Sequence, residues 1–156
     1  MQEAPAAHKP RHRPLLALGL AAYAALLACI VFWPQPVDRG MRGYLDQALG
    51  LVHSLGAPGW VDYTLVEAAA NVVLFLPAGL LLAAWLSPRW SWLAAVVGLG
   101  VSAGIEAAQA LLLPERYATP EDVMANGLGA ALGTVAVYAW RARGSKSRPG
   151  SPQPRE

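Results

Sequence analysis

Apolar residues in this chain come in four long blocks that short polar stretches separate. The blocks occupy about residues 14–33, 65–86, 90–113 and 122–140. At about 1.5 Å rise per residue, about 20 helical residues cross the roughly 30 Å hydrocarbon core of a bilayer. A helix satisfies its own backbone hydrogen bonds there, whereas a lone strand does not. The pattern therefore predicts an all-α integral membrane protein, built as a four-helix transmembrane bundle.

The polar stretch between the first two blocks has a helical pattern of its own. Over residues 38–56, apolar residues recur at helical spacing on one face, while polar and charged residues mostly lie elsewhere. This pattern is typical of a short amphipathic helix that lies on a membrane surface. We expect this helix to be extracytoplasmic and either to lie on the membrane or to cap the bundle.

Composition agrees with a single membrane domain over residues 14–140. Of the 156 residues, 55% are hydrophobic and 14% are charged, whereas about 25% are charged in a typical soluble domain. Residues 1–13 and 141–156 are rich in Pro, Ser, Gly and charge, so both ends are predicted to be disordered. The single cysteine excludes an internal disulfide, and the sequence predicts neither a metal site nor a cofactor.

The basic residues predict the orientation of the bundle. With four spans both termini lie on one side, and nine of the twelve Lys and Arg residues fall on that side. Basic residues favour the cytoplasmic side of a membrane, so both termini are predicted to be cytoplasmic. Topology and anionic lipid account for the basic excess, and no nucleic-acid partner is expected.

Three of the four spans carry an acid and an amide near the same end. The pairs are Glu67 with Asn71, Glu106 with Gln109, and Asp122 with Asn126. The members of each pair are three or four residues apart, so they share a helix face. Under the predicted orientation all three pairs lie in the outer leaflet, while the inner halves of these spans hold no ionisable residue. The spacing therefore predicts an outward-facing polar pocket.

Structural explanations compete with a functional one for several of these residues. Glu67 and Asp122 each follow a threonine by three residues, which is the capping-box spacing at a helix start. Asn71 and Asn126 suit simple hydrogen bonds between helices. Capping and helix association alone would therefore explain part of the pattern.

Glu106 is harder to explain by structure alone. It lies near the C-terminal end of its span, where the helix dipole disfavours an anion. An intramembrane carboxylate is also unfavourable unless it is paired, hydrated or protonated. The best partner in the sequence is Arg116, the basic residue of the second outside loop. We interpret Glu106 as a functional residue in preference to one half of a structural ion pair.

Two further features shape the predicted bundle. The stretch "GVSAG" places Gly100 and Gly104 four residues apart, and "GAALG" does the same for Gly129 and Gly133. This spacing lets membrane helices approach closely. Pro77 lacks a backbone N–H and is predicted to kink the second span.

These motifs, taken in order, resemble the VanZ-like membrane protein family. The resemblance covers about residues 65–135 and rests on "NVVLFLPAG", "SAGIEAAQ", Arg116 and "EDVMANGLGAALG". The residues that match the family pattern are Asn71, Phe75, Pro77, Gly79, Ser102, Ile105, Glu106, Gln109, Arg116, Asp122, Val123, Asn126, Gly129 and Gly133. The resemblance implies a multi-pass protein of the bacterial plasma membrane. The founding member is an accessory protein of glycopeptide-resistance clusters, associated with reduced susceptibility to teicoplanin.

Three functions fit these observations. The favoured one is a non-enzymatic envelope protein whose outer pocket binds or shields a membrane lipid or another amphiphile, such as a lipoglycopeptide or a lipid-linked cell-wall precursor. The second is an enzyme acting on a lipid headgroup, with Glu106 as acid or base and Asp122 or Glu67 as its partner. The third is a proton-coupled carrier, whose path across the inner half would have to come from a homo-oligomer. A purely structural or assembly role also stays open.

Overall fold

A computed structural model describes residues 13–33, 40–112 and 119–146 of the chain. These residues form five α-helices: α1 (Arg13–Val31), α2 (Arg42–Ser54), α3 (Tyr63–Trp85), α4 (Leu93–Leu112) and α5 (Pro120–Lys146). A short 3₁₀ turn at Pro88–Trp90 joins α3 to α4. Four of the helices, α1, α3, α4 and α5, are long and apolar enough to cross a membrane. The described residues contain no strand, and the predicted all-α fold with four spans is confirmed.

The helix α2 occupies the segment where a helix was predicted between the first two spans. It touches α3 and buries none of its residues. Tyr44 and Leu51 on this helix, and Leu55 directly after it, are largely exposed. Its position on the outer membrane surface stays a prediction.

The last helix, α5, extends six residues beyond the predicted end of the fourth span. The disordered tail predicted from residue 141 is therefore wrong for residues 141–146. The physical reason is Arg141, which is half-buried and bonds to the end of α3, so this turn is held against the bundle. The predicted disorder of residues 1–12 and 147–156 lies outside the described residues.

Glycines bring the backbones of α3 and α5 into direct contact. A methyl group added at Gly79 would collide with the carbonyl oxygen of Ala130. One added at Gly133 would collide with the carbonyl oxygen of Leu76, and Gly129 meets α3 in the same way. The "GAALG" motif therefore lies where α3 and α5 approach each other.

The "GVSAG" motif of α4 does not make the contact that its spacing predicted. A methyl group added at Gly100 or Gly104 would meet no described atom within 4 Å. Gly98 packs against Ala130 of α5 instead. Two residues correspond to about 200° of rotation on a helix, so Gly98 faces the bundle while Gly100 faces outward.

The second span contains Pro77 within the continuous helix α3. Near the proline, the Tyr23 hydroxyl of α1 donates a hydrogen bond of 2.6 Å to the Leu74 carbonyl. This bond gives a polar group of α1 a partner in a region where lipid supplies none. The kink predicted at Pro77 stays a prediction.

Two small apolar cores lie towards opposite ends of the bundle. One consists of Leu27, Val31 and Phe75, and the other of Ala83, Ala94 and Val137. Many other large apolar side chains are exposed. Exposed apolar surface of this extent marks an interaction surface, and on span-length helices it is the surface expected to face lipid.

Candidate functional site

Polar side chains from α3, α4 and the start of α5 meet at one end of the bundle. We call this group the Glu106 cluster, and it consists of Asn71, Ser102, Glu106, Gln109, Thr119, Asp122 and Asn126. Four of its members are buried, with exposed fractions of 0% for Ser102, 9% for Glu106 and 4% for both Gln109 and Asn126. Within the described parts of the chain, no three His, Cys, Asp or Glu residues are placed to hold a metal ion.

Glu106 of α4 holds the beginning of α5. Its Oε2 accepts a hydrogen bond of 3.2 Å from the backbone N–H of Thr119, the residue just before α5. The Thr119 hydroxyl in turn accepts a hydrogen bond of 3.2 Å from the backbone N–H of Asp122, which is an N-cap contact. In a capping box, the acid at position 122 would reach back to the Thr119 N–H. Glu106 makes that contact from a different helix.

This contact explains why a carboxylate is stable at position 106. Glu106 lies near the C-terminal end of its own helix, but its carboxylate lies at the N-terminus of α5. The dipole of α5 favours an anion at that point. The predicted partner Arg116 lies outside the described residues, and its pairing with Glu106 stays a prediction.

Asp122 bonds to α3 across the bundle. The Asn71 Nδ2 donates to Asp122 Oδ1 at 2.6 Å. Both side chains are half-buried, and they join the N-terminal parts of α3 and α5. The structure therefore brings these two predicted site residues into direct contact.

Glu67 lies one turn before Asn71 on α3, and its side chain is exposed. The alternative that Glu67 belongs to a capping box with Thr64 is wrong. The cap of α3 is Asp62, whose Oδ1 accepts a hydrogen bond of 3.0 Å from the Leu65 backbone N–H. Because the helix starts two residues earlier than that alternative assumed, Glu67 lies beyond the capping position.

Gln109 ties α1 to the cluster. Its Nε2 donates a hydrogen bond of 2.5 Å to the carbonyl of Val31, the last residue of α1. The last four carbonyls of a helix have no partner within that helix, and lipid offers no donor. Gln109 therefore caps the C-terminus of α1, which is a structural role.

Asn126 has one buried polar atom without a partner. Its Nδ2 donates to Ser102 Oγ at 2.9 Å, whereas its Oδ1 has no hydrogen-bond partner in the described chain. Exchanging the amide oxygen and nitrogen would leave the nitrogen unpaired instead. Because an unpaired buried group costs roughly 1–3 kcal/mol, the cluster has capacity for one further hydrogen bond.

An open groove between α4 and α5 leads to Glu106. This α4–α5 groove has a volume of about 510 Å³. It is lined by Glu106, Ala107, Ala110, Thr119, Pro120, Val123 and Met124. Small-molecule sites typically enclose about 300–1,000 Å³. Apart from Glu106 and Thr119 the described lining residues are apolar, so this part of the groove presents one carboxylate within a largely hydrocarbon surface.

The opposite end of the bundle holds a polar network that the sequence prediction missed. The Arg141 guanidinium donates to Ser91 Oγ at 2.6 Å and to the carbonyls of Ala83, Ala84 and Leu86 at 3.1–3.2 Å. The cation caps the C-terminus of α3, where the helix dipole favours positive charge. The position of Arg141 directly after the last apolar block was a usable indication of this role.

The two ends of the bundle differ in charge. At the Glu106 end, six described acids accompany a single described arginine: Asp46, Asp62, Glu67, Glu106, Glu121 and Asp122 with Arg42. The other end carries Arg13, Arg89, Arg141 and Arg143 and no acid among the described residues. There, Arg13 lies over the ring of Trp85 and Arg89 over that of Trp90. Tryptophan with arginine is typical of a membrane–water interface.

One family model matches most of the chain. The family is described as VanZ/LLP1, and the match covers residues 20–141. This range contains the whole Glu106 cluster and ends at Arg141. No curated protein and no solved structure gives a match.

Proposed function

The chain belongs to the VanZ/LLP1 family of membrane proteins, and we propose that it binds or shields an amphiphilic molecule of the cell envelope. The observation that carries the proposal is Glu106, a carboxylate with 9% exposure that lines an open groove with mostly apolar walls. Such a site offers a hydrogen-bond acceptor to a polar head and hydrocarbon to a tail. Membrane lipids, lipoglycopeptides and lipid-linked cell-wall precursors are the ligand classes with that chemistry.

The charge of the two bundle ends supports an outward-facing site. Basic residues gather at the end opposite to Glu106, and basic residues favour the cytoplasmic side. We therefore place both termini in the cytoplasm of a bacterium and the Glu106 cluster at the outer face of its plasma membrane. The helix α2 is at the Glu106 end, and its exposed Tyr44 and Leu51 then lie in the headgroup region.

Helix capping does not account for all the features found at the Glu106 end of the bundle. The bond from the Thr119 N–H needs only an acceptor at position 106, which a glutamine also supplies. The same cap requires neither an open groove beside Glu106 nor an unpaired amide atom at Asn126. These two features favour a binding site over a purely structural cluster.

A headgroup enzyme is the second candidate, and the same carboxylate favours it. A buried acid beside an open groove has the placement that general acid–base chemistry needs. Of its two suggested partners, however, Asp122 accepts a hydrogen bond from Asn71 and Glu67 is exposed. A proton-coupled carrier has less support, because the glycine contacts at Gly79 and Gly133 fill the interface between α3 and α5.

The proposed function is tested by antibiotic susceptibility in a glycopeptide-sensitive Gram-positive host. We expect wild type to protect against teicoplanin, which carries an acyl chain, more than against vancomycin, which carries none. The substitution Ala110→Phe fills the groove and is expected to remove the protection. The matched control Ala103→Phe places the same side chain on α4 at an exposed position outside the groove lining, and it should protect like wild type.

Membrane levels of all variants are matched by immunoblot. Equal protection by Ala110→Phe and Ala103→Phe would place the activity outside the groove. Glu106→Gln separates the two candidate functions, since it keeps the acceptor for Thr119 but removes the ionisable proton. An enzyme would also leave a modified lipid or antibiotic in cell extracts, whereas a binding protein leaves the ligand unchanged by mass spectrometry.

A further inference from the structure

We propose that the end of the bundle opposite to Glu106 binds an anionic phospholipid through an arginine patch around the C-terminus of α3. The arginine patch consists of Arg13 at the start of α1, Arg89 in the turn after α3, and Arg141 near the end of α5. It lies at the other end of the bundle from the α4–α5 groove. The inference therefore goes beyond the proposed function and does not depend on it.

Two guanidinium groups of the arginine patch meet at consecutive carbonyls of α3. Arg13 Nη2 donates a long hydrogen bond of 3.5 Å to the Trp85 carbonyl. Arg141 Nη2 donates to the carbonyls of Ala84 and Leu86, each at 3.1 Å. One cation comes from α1 and the other from α5, so two different helices bring positive charge to the last turn of α3.

The charge of the arginine patch exceeds the negative charge that the described protein supplies against it. The C-terminus of a helix carries the equivalent of about half a negative charge, whereas the patch brings three guanidinium groups that stay charged at physiological pH. The described residues at this end include no Asp or Glu, and they form no ion pair with Arg13, Arg89 or Arg141. The patch therefore keeps positive charge for an external anion, whose local concentration that charge raises.

Arg13 and Arg89 have hydrogen-bond donors available for such an anion. A guanidinium has five N–H donors, and its planar fork binds two oxygens of one phosphate. Both side chains are exposed. Arg13 makes the one long bond to α3, and Arg89 stacks on the ring of Trp90 without a hydrogen bond to the described chain. Arg141 is half-buried and bonds to four protein acceptors, so it contributes charge rather than contact.

The surroundings of the arginine patch favour a lipid over a free anion. Trp90 and Trp92 are 43% and 50% exposed, and tryptophans at the ends of membrane spans lie at headgroup depth. In the first two turns of α1 after Arg13, Leu15 and Leu18 are each 67% exposed. A phospholipid satisfies both kinds of surface, with its phosphate at the arginines and an acyl chain along α1.

The experiment measures lipid retention by native mass spectrometry of the purified full-length protein after addition of defined lipids. The probes are phosphatidylglycerol and phosphatidylcholine with identical acyl chains. Both carry a phosphate, but only phosphatidylglycerol has a net negative charge. We expect wild type to retain phosphatidylglycerol about 25-fold more strongly, because each of the two exposed arginines contributes about fivefold.

Matched arginine substitutions locate the bound lipid. Arg13→Gln and Arg89→Gln should each lower the preference for phosphatidylglycerol about fivefold, and the double variant should nearly abolish it. The control Arg42→Gln makes the same change of charge at an exposed position of the Glu106 end, and it should retain lipid like wild type. Replacing Arg13 and Arg89 by lysine keeps the charge and should preserve part of the preference. Circular dichroism confirms that each variant is helical before its retention is compared.

Three results would overturn the proposal. An equal loss of preference in Arg42→Gln and in the double variant would show that net charge attracts the lipid without a defined site. A double variant with the wild-type preference would place the anionic lipid elsewhere on the chain. Excess inorganic phosphate should leave phosphatidylglycerol bound, because the acyl chain adds apolar contact, and complete displacement would identify a site for free anions instead.

Discussion

Glu106, Gln109 and Arg141 each cap the end of a helix other than their own. In water, the unpaired backbone groups at a helix end bond to solvent, but within a membrane the protein has to supply the partners. Glu106 brings an anion to the N-terminus of α5, and Arg141 brings a cation to the C-terminus of α3. Both charges therefore match the dipoles of the helices that they cap.

Replacing Arg141 is expected to destabilise the bundle at the end opposite to Glu106. Arg141→Gln removes a charged donor from Ser91 and three carbonyls and should lower the free energy of unfolding by about 2 kcal/mol. The free energy of unfolding of Arg141→Lys should lie between those of wild type and Arg141→Gln, because one ammonium lacks the planar fork of the guanidinium. Unfolding by SDS titration, followed by circular dichroism, measures the difference. An Arg141→Gln protein as stable as wild type would show that the cap contributes nothing.

The sequence predicted the members of the Glu106 cluster better than their partners. Spacing and depth located Glu106 at the same end as Asp122, because both follow from helix geometry and connectivity. The contact from Glu106 to the Thr119 backbone depends on the rotation of α4 relative to α5, which no periodicity specifies. Arg141 was assigned to a tail because charge after an apolar block also marks the end of a span.

At the scale of elements, the rotation of each helix about its own axis decides which of its glycines packs against a neighbouring helix. A G-x-x-x-G spacing shows that two glycines share a face, but not which face meets a neighbour. In α5 that face meets α3, as Gly133 shows, whereas in α4 it points outward at Gly100 and Gly104. The interior face of α4 is identified only by Gly98 and its contact with Ala130.

Gly133→Ala and Gly104→Ala form a matched pair that tests this assignment. At Gly133 the new methyl group collides with the Leu76 carbonyl, so the helices must separate, and we expect a loss of about 2–3 kcal/mol. At Gly104 the methyl group meets no atom of the described residues, and the higher helix propensity of alanine should give no loss or a gain below about 1 kcal/mol. The same SDS titration measures both. Equal stabilities of the two variants would contradict the packing of α3 against α5.

At the scale of the whole molecule, opposite charges lie at opposite ends of the bundle, and this separation predicts its orientation in the membrane. All six described acids lie at the Glu106 end, and four of the five described arginines lie at the other. The sequence alone predicted the four spans and this asymmetry, because both depend on composition along the chain. It did not reveal the α4–α5 groove, since a groove depends on how two helices diverge.

Cysteine labelling in intact cells tests the predicted orientation of the bundle in the membrane. In a Cys29→Ser background, His53→Cys introduces a thiol on α2 and Gly144→Cys introduces one near the end of α5, both at exposed positions. A membrane-impermeant maleimide should label position 53 in intact cells and position 144 only after permeabilisation. The reverse pattern would place the Glu106 cluster in the cytoplasm and remove its access to outer-leaflet ligands.

The central claim is that an amphiphile occupies the α4–α5 groove beside Glu106. The most direct measurement is photolabelling in membranes with phosphatidylethanolamine that carries a diazirine in its acyl chain, followed by peptide mapping. We expect labels to concentrate on Ala107, Ala110, Val123 and Met124 in wild type and in Ala103→Phe, and to disappear in Ala110→Phe. Labels spread over the exposed faces of all four spans, unchanged by Ala110→Phe, would contradict the claim.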